Sequence, residues 1–253
     1  MAQKLIAKQN ALSNPTAIKL LDIMQEKESN LAVSADVTSA KKLLELADAI
    51  GEEICVLKTH IDIIDDFSPD LISKLQTLAE KHSFLLFEDR KFVDIGNTVR
   101  MQYQGGIYRI GDWAHITNAC ALSGPSIVEG LKEVGMAKGR ALLLIAELSS
   151  RGALTNQDYA KKTLEIAERH PDFVIGFIAQ QQILSPLPFL CFTPGVHLTS
   201  SNDTLGQQYQ TPEQAIEKGA DILIVGRGIY GSDQPKKMAR IYREAGWQAY
   251  VKR

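Results

Sequence analysis

The segment Asp89-Arg90-Lys91-Phe92-Val93-Asp94 sets two carboxylates around an ammonium with the spacing D-x-K-x-x-D. Asp89 and Lys91 share a face in an extended chain, whereas Asp94, three residues past Lys91, faces the other way. Lys58, in Leu57-Lys58-Thr59-His60, is a candidate to join them, and Asp36 is a further acid. Alternating Lys and Asp groups hold one another charged, because each carboxylate favours the ammonium and each ammonium favours the carboxylate. Such a network can set an ammonium donor and a fixed negative charge against one substrate. Gly226-Arg227-Gly228 suggests a second kind of chemistry. Small residues let backbone N–H groups approach an anion, and the guanidinium can bind it bidentately, a pattern suited to phosphate. The polar stretch from His197 to Gln210, with Thr199, Ser200, Ser201, Asn202, Gln207, Gln208 and Tyr209, has the length and composition of a lid.

Each signal has a plainer reading. A charge run after a strand is ordinarily a solvated face, and a lone G-R-G is explained as well by a turn. Phe84-Leu85-Leu86-Phe87 runs directly into the charges, however, so they begin where a buried strand ends. Lysines are interspersed and no His pair has ligand spacing, so no metal is expected. Of the five histidines, His60 is a candidate for substrate binding; His82, His115, His170 and His197 are expected to be structural or solvated.

Positioning these residues requires a frame, and short β-like runs alternate with helical patterns from end to end. Strands are expected at Leu31–Val37, Ile54–Thr59, Phe84–Asp89, His115–Thr117, Leu142–Glu147, Phe173–Ala179, Phe189–Phe192 and Ile222–Val225. Several are apolar on both faces, as parallel strands covered by helices are. Helices carry start and stop signals: Ser68-Pro69-Asp70, Thr211-Pro212-Glu213-Gln214 with capping-box spacing, Gly51 and Gly219 as stops, and Asp233 with Pro235 before the last. An extra helix, about Pro15 to Lys27, lies within an N-terminal extension of residues 1–30. Eight βα units in 253 residues, with no break in composition, predict an α/β fold: a (β/α)8 TIM barrel forming one domain. A doubly wound open sheet is the alternative, but no G-x-G-x-x-G follows the first strand. In the barrel the charged segments, Glu147-Leu148-Ser149, Thr193-Pro194-Gly195 and Gly226-Arg227-Gly228 all fall at strand exits, where such barrels do their chemistry.

Composition narrows the setting. Hydrophobic residues at 45% and charged residues at 23% suit a globular protein with a sizeable core. A net charge of −2 argues against nucleic-acid binding by bulk electrostatics. Cys55, Cys120 and Cys191 are few and far apart, which predicts a reducing cytoplasm. Met1–Asn10 lacks an apolar core of export-signal length, and no apolar run approaches a membrane span.

Phe87-Glu88-Asp89-Arg90-Lys91-Phe92-Val93-Asp94-Ile95-Gly96-Asn97-Thr98-Val99 closely resembles the signature of the orotidine 5′-monophosphate decarboxylase family. Further matches are Leu57–His60, Ala146–Ser149, Asp172–Ala179, Thr193–Val196, Leu205–Tyr209 and Ile224–Gly228, in order from about Leu31 to the C-terminus. The branch resembled is that of fungi and animals, in its monofunctional form. The resemblance implies a (β/α)8 barrel that removes CO2 from orotidine monophosphate to give UMP, the last step of pyrimidine nucleotide synthesis, without a cofactor. It implies that Lys91 protonates C6 of the pyrimidine, that Asp89 lies against the departing carboxylate, and that Lys58 and Asp94 complete the network. Asp36, Lys58 and Thr98 are implied to bind the ribose, Ser149 and Gln207 to address the base and lid, and Tyr209 and Arg227 to hold the phosphate. His60, Ile95, Pro194 and Gly226 complete the implied substrate contacts. A homodimer is implied, with Asp94 and Thr98 entering from the partner subunit. Gln181–Pro188 departs from the family pattern, since its prolines leave little room for a helix, and Ala35 stands where leucine is usual. D-x-K-x-x-D is shared with a magnesium-dependent sugar-phosphate lyase of the same barrel family. A catalytically silent barrel is the other alternative, disfavoured by the intact cluster of Lys58, Asp89, Lys91 and Asp94.

Overall fold

Eight short segments become eight parallel strands, buried on both faces except towards the ends of the third and fourth: β1 (Leu31–Ser34), β2 (Val56–Thr59), β3 (Leu85–Phe92), β4 (Ile116–Cys120), β5 (Ala141–Ile145), β6 (Val174–Ile178), β7 (Leu190–Thr193) and β8 (Ile222–Val225). The computed structural model describes residues 8, 10–198 and 209–253. The strands pair in sequence order, and β1 pairs with β8 to close the barrel. Helices α1 (Pro15–Lys27), α2 (Ala40–Ile50), α3 (Pro69–His82), α4 (Gly96–Gln104), α5 (Ile110–Trp113), α6 (Ser126–Gly135), α7 (Gln157–Ala167), α8 (Pro212–Glu217), α9 (Arg227–Tyr230) and α10 (Pro235–Lys252) punctuate the strands. The closed sheet excludes the doubly wound alternative. Among the described residues no helix is long and apolar enough to cross a membrane.

Two apolar layers hold the frame. The outer one lies between strands and helices, with Leu43, Leu71, Leu75, Val99, Ile127 and Leu131 facing strand residues such as Leu57, Leu86 and Leu144. The inner one fills the barrel with Val56, Phe87, Leu143, Ile175, Phe192 and Ile222. Leu20, Leu21 and Met24 of α1 belong to that inner layer, so α1 stoppers the end at which the strands begin. Its N-cap, Asn14, accepts the amides of Thr16 and Ala17 and donates to the carbonyls of Arg140 and Asp172, just ahead of β5 and β6. At the other end of α1, Lys27 Nζ donates to the carbonyls of Gly51, Ile54, His82 and Ser83, just ahead of β2 and β3. With one mouth sealed, the exits of the strands are left as the open one.

The expected strand positions hold, with shifted ends. β1 stops at Ser34, leaving Asp36 on the loop beyond it, while β3 runs on through the charges to Phe92 and β4 through Asn118 to Cys120. The expected capping box at Thr211 forms. The segment between β6 and β7 holds no helix and passes as irregular, bent chain. It is tied down by Gln182 N–H on the Lys218 carbonyl and by Ser185 on Glu168, while Phe189 packs edge-on against Phe177.

Candidate active site

The open mouth is a cleft of about 270 Å³, lined by Asp36, Lys58, Asp89, Lys91, Asn118, Ser149, Pro194, His197, Tyr209, Gly226, Arg227 and neighbours. Residues from seven strand exits meet there because parallel strands all end on the same side of the barrel.

Asp89 is its electrostatic centre. One carboxylate oxygen, Oδ2, accepts Lys58 Nζ at 2.7 Å; the other, Oδ1, accepts Lys91 Nζ at 2.6 Å and Asn118 Nδ2 at 2.6 Å. Burial alone would push its pKa up, but the charges of Lys58 and then Lys91 outweigh burial and hold the carboxyl well below the usual range. Lys58 is itself buried, and its ammonium also lies 2.9 Å from His60 Nε2 and 3.8 Å from Asp36 Oδ1. Burial and then the Lys58 charge lower the pKa of His60, which favours the neutral imidazole, the form able to accept from Lys58. Asp36 is oriented by Ser34, whose hydroxyl donates to Oδ1 at 2.6 Å. Lys91 differs from Lys58 in being open: its side chain is 42% exposed, which leaves the ammonium free to meet a bound molecule.

The anion end lies at the exit of β8. Arg227 Nη2 donates to the Tyr209 hydroxyl at 2.6 Å, with the guanidinium 5.9 Å from the ring centroid. Gly228 is required for packing, since a Cβ there would run into the Tyr242 hydroxyl. Gly195, at φ +76°, turns the chain at the exit of β7.

Sequence reasoning therefore placed Asp36, Lys58, Asp89, Lys91, Ser149, Pro194, Tyr209, Gly226 and Arg227 in one cleft, and His60 against its lysine. Gln207 and the greater part of the expected lid, residues 199–208 of the stretch from His197 to Gln210, lie outside the described residues. Asp94, Ile95 and Thr98 are not brought into the cleft of their own chain. Asp94 is exposed, its carboxylate accepting the Ile95 amide at 2.7 Å, and Ile95 is 60% exposed. His197, expected to be structural or solvated, lines the cleft and packs on Tyr209 and Tyr242.

Two buried residues were missed. Asn118 sits at the exit of β4, whose expected end, Thr117, fell one residue short of it. Glu88 points away from the cleft, where its carboxyl accepts the Thr59 hydroxyl at 2.7 Å and the Ile61 amide at 3.0 Å. Burial pushes its pKa up to about 8. Position next to Asp89 was the only signal for Glu88.

A closed eight-stranded barrel with a charged cleft at its strand exits defines the class of (β/α)8 barrel enzymes. Within that class, the model of the orotidine 5′-phosphate decarboxylase / HUMPS family matches residues 29–242, and the chain belongs to that family. It is 56% identical to the orotidine 5′-phosphate decarboxylase of Rhizopus oryzae over 95% of this chain and 92% of that protein. It is 50% identical to that of Schizosaccharomyces pombe over 99% and 96%. The uridine 5′-monophosphate synthase of Bos taurus is 50% identical, with 95% of this chain matching 50% of that protein. In fold, the chain is similar to the orotidine 5′-monophosphate decarboxylase of Methanocaldococcus jannaschii complexed with the inhibitor BMP, with a TM-score of 0.68 at 19% identity over 85% of this chain and 97% of that one.

Proposed function

We propose that this protein decarboxylates orotidine 5′-monophosphate to UMP and CO2, as the final step of pyrimidine nucleotide synthesis. Family membership supplies the reaction, and the observation that carries it here is Asp89 clamped between Lys58 and Lys91 at 2.7 and 2.6 Å. The phosphate binds Arg227 and Tyr209, the ribose meets Asp36 and Lys58, and the base reaches Lys91 near Ser149. As the bond from C6 to the carboxylate breaks, its electron pair stays on C6 and Lys91 delivers a proton there. Asp89 holds a fixed negative charge beside the leaving carboxylate and keeps the Lys91 ammonium in place. Such preorganised charges act without reorganising during the reaction and supply a large part of the roughly 20 kcal/mol that strong catalysis requires. Phosphate binding, remote from C6, contributes further through positioning. The test is incubation with orotidine monophosphate while following the loss of its ultraviolet absorbance. Absence of turnover sinks the reading, and activity lost to EDTA but restored by magnesium points to the sugar-phosphate lyase of the same family.

The site is completed by a second copy of the chain, whose Asp94 and Thr98 enter the cleft. This reading is supported by the exposure of Asp94 beside exposed Val93 and Ile95, with Ser123 holding the Asp94 carbonyl and Leu122, 71% exposed, next to it. Lys91→Ala and Asp94→Ala homodimers are each expected to be nearly inactive. Refolded together they should regain about one quarter of wild-type activity, because about half the dimers are mixed and each mixed dimer has one intact site. No recovery on mixing would place each site within one chain.

A further inference from the structure

The chain reaches Lys91 by breaking step. β3 pairs with β4 at Phe87–Ile116 and Glu88–Thr117, and again at Phe92–Ala119. Residues 89, 90 and 91 therefore stand opposite Asn118 alone. To fit, Lys91 takes φ +50°, in the left-handed region that a lysine enters only at a cost of about 1–2 kcal/mol. Something must hold this bulge, and the Asn118 side chain, 1% exposed, touches it twice. Its Oδ1 accepts the Lys91 backbone N–H at 2.7 Å, and its Nδ2 donates to Asp89 Oδ1 at 2.6 Å. With Lys91 Nζ on that same Oδ1 at 2.6 Å, a closed ring joins the Lys91 backbone, Asn118, the Asp89 carboxylate and the Lys91 ammonium.

We infer that Asn118 is a positioning residue for the decarboxylation, fixing the Lys91 ammonium and the Asp89 carboxylate relative to each other by clamping the bulge that carries both. The primary amide offers an acceptor for the peptide N–H and a donor for the carboxylate within one rigid plane at every pH. Leucine offers neither. Aspartate keeps the shape and the acceptor but sets a second carboxylate against Asp89. Two carboxylates at that distance repel until they share a proton, and the shared proton then restores the missing donation. The other titratable groups facing the pair are Asp36 after β1, Lys58 and His60 at the exit of β2, Lys91 on β3 and Cys120 on β4. They are common to wild type and variants, so a ratio of rates isolates residue 118.

The experiment measures kcat and KM for orotidine monophosphate with wild type, Asn118→Leu and Asn118→Asp, from mildly acidic to mildly alkaline pH. Both variants should lose about 10²-fold in kcat at neutral pH, the cost of a misplacement on the order of 1 Å, with KM changed only a few-fold. The ratio of Asn118→Asp to wild type should rise as pH falls, while the ratio for Asn118→Leu stays flat. Wild-type kcat in Asn118→Leu, a loss confined to KM, or a flat ratio for Asn118→Asp overturns the inference. Thermal melting and UMP binding check folding. If Asn118→Leu does not fold, the pH ratio of the isosteric Asn118→Asp decides alone. The inference rests on the proposed decarboxylation: an inactive wild type removes that reading, whereas an active wild type with an unaffected Asn118→Leu removes only this one.

Discussion

The two mouths of the barrel use the same residue types to opposite ends. At the sealed mouth, Lys27 donates to four backbone carbonyls within 2.6–3.2 Å and Asn14 donates to two. At the open mouth, Lys58 and Lys91 meet a carboxylate and Asn118 bridges that carboxylate to a peptide. Carbonyl dipoles satisfy the hydrogen bonds of Lys27 without neutralising its charge, and burial pulls its pKa down to about 8. Asp89 balances charge with charge and leaves Lys91 exposed enough to act. A lysine becomes chemically useful through its partner and its access, and the sealed mouth shows the same side chain used as a fastening.

The sharpest way to break this contrast is to remove one lysine from each mouth. Lys91→Ala should lower kcat by at least ~10³-fold, within the range of lost general acid catalysis, with little change in Tm. Turnover near normal in a folded Lys91→Ala protein would end its assignment as proton donor. Lys27→Met should do the reverse: turnover per folded molecule is retained, while stability in denaturant titration falls by about 1–3 kcal/mol as carbonyls lose their donor. Equal loss of activity in the two variants would erase the distinction between fastening and chemistry.

A smaller effect is expected at the rim. Arg227→Ala should weaken binding of orotidine monophosphate by roughly 1.5–3 kcal/mol, the value of hydrogen bonds to a charged group, and should cost far less with the nucleoside that lacks phosphate. An equal penalty for both ligands would remove Arg227 from the phosphate site.

An effect on stability with no expected loss of turnover concerns Glu88, which points away from the cleft. Its pKa is raised by burial from the ordinary 4.5 to about 8, so the folded protein keeps a proton that the unfolded chain releases across that interval. The stability Glu88 contributes is thus fully present below about pH 4.5 and is lost as pH rises through about 8. Glu88→Gln, which is neutral throughout, should show a flatter decline in Tm over this window. An unchanged slope would mean that Glu88 titrates normally.

Much of this molecule was legible in its residues because the determining forces are local. Apolar runs such as Ala141–Ile145 can only be buried strands in a chain of alternating helices, and Asn14-Pro15 and Thr211-Pro212 start helices through side chains two or three positions away. The spacing of Asp89 and Lys91 on one strand made their cooperation readable, as did the placement of Gly226–Gly228 after the last strand. Other features depend on partners far along the chain. The apolar stripe of α1 is the same whichever mouth it covers, and only packing against the inner layer chose the one where strands begin. Asn118 carries no spacing signature; its role exists because β4 lies in a register that sets it against three residues of β3. The left-handed turn at Lys91 follows from that register, since a lysine in isolation would avoid it. Asp94 follows Lys91 by three residues in sequence, yet the turn into α4 carries it out of the cleft, because direction after a strand exit is decided by what the next helix packs against.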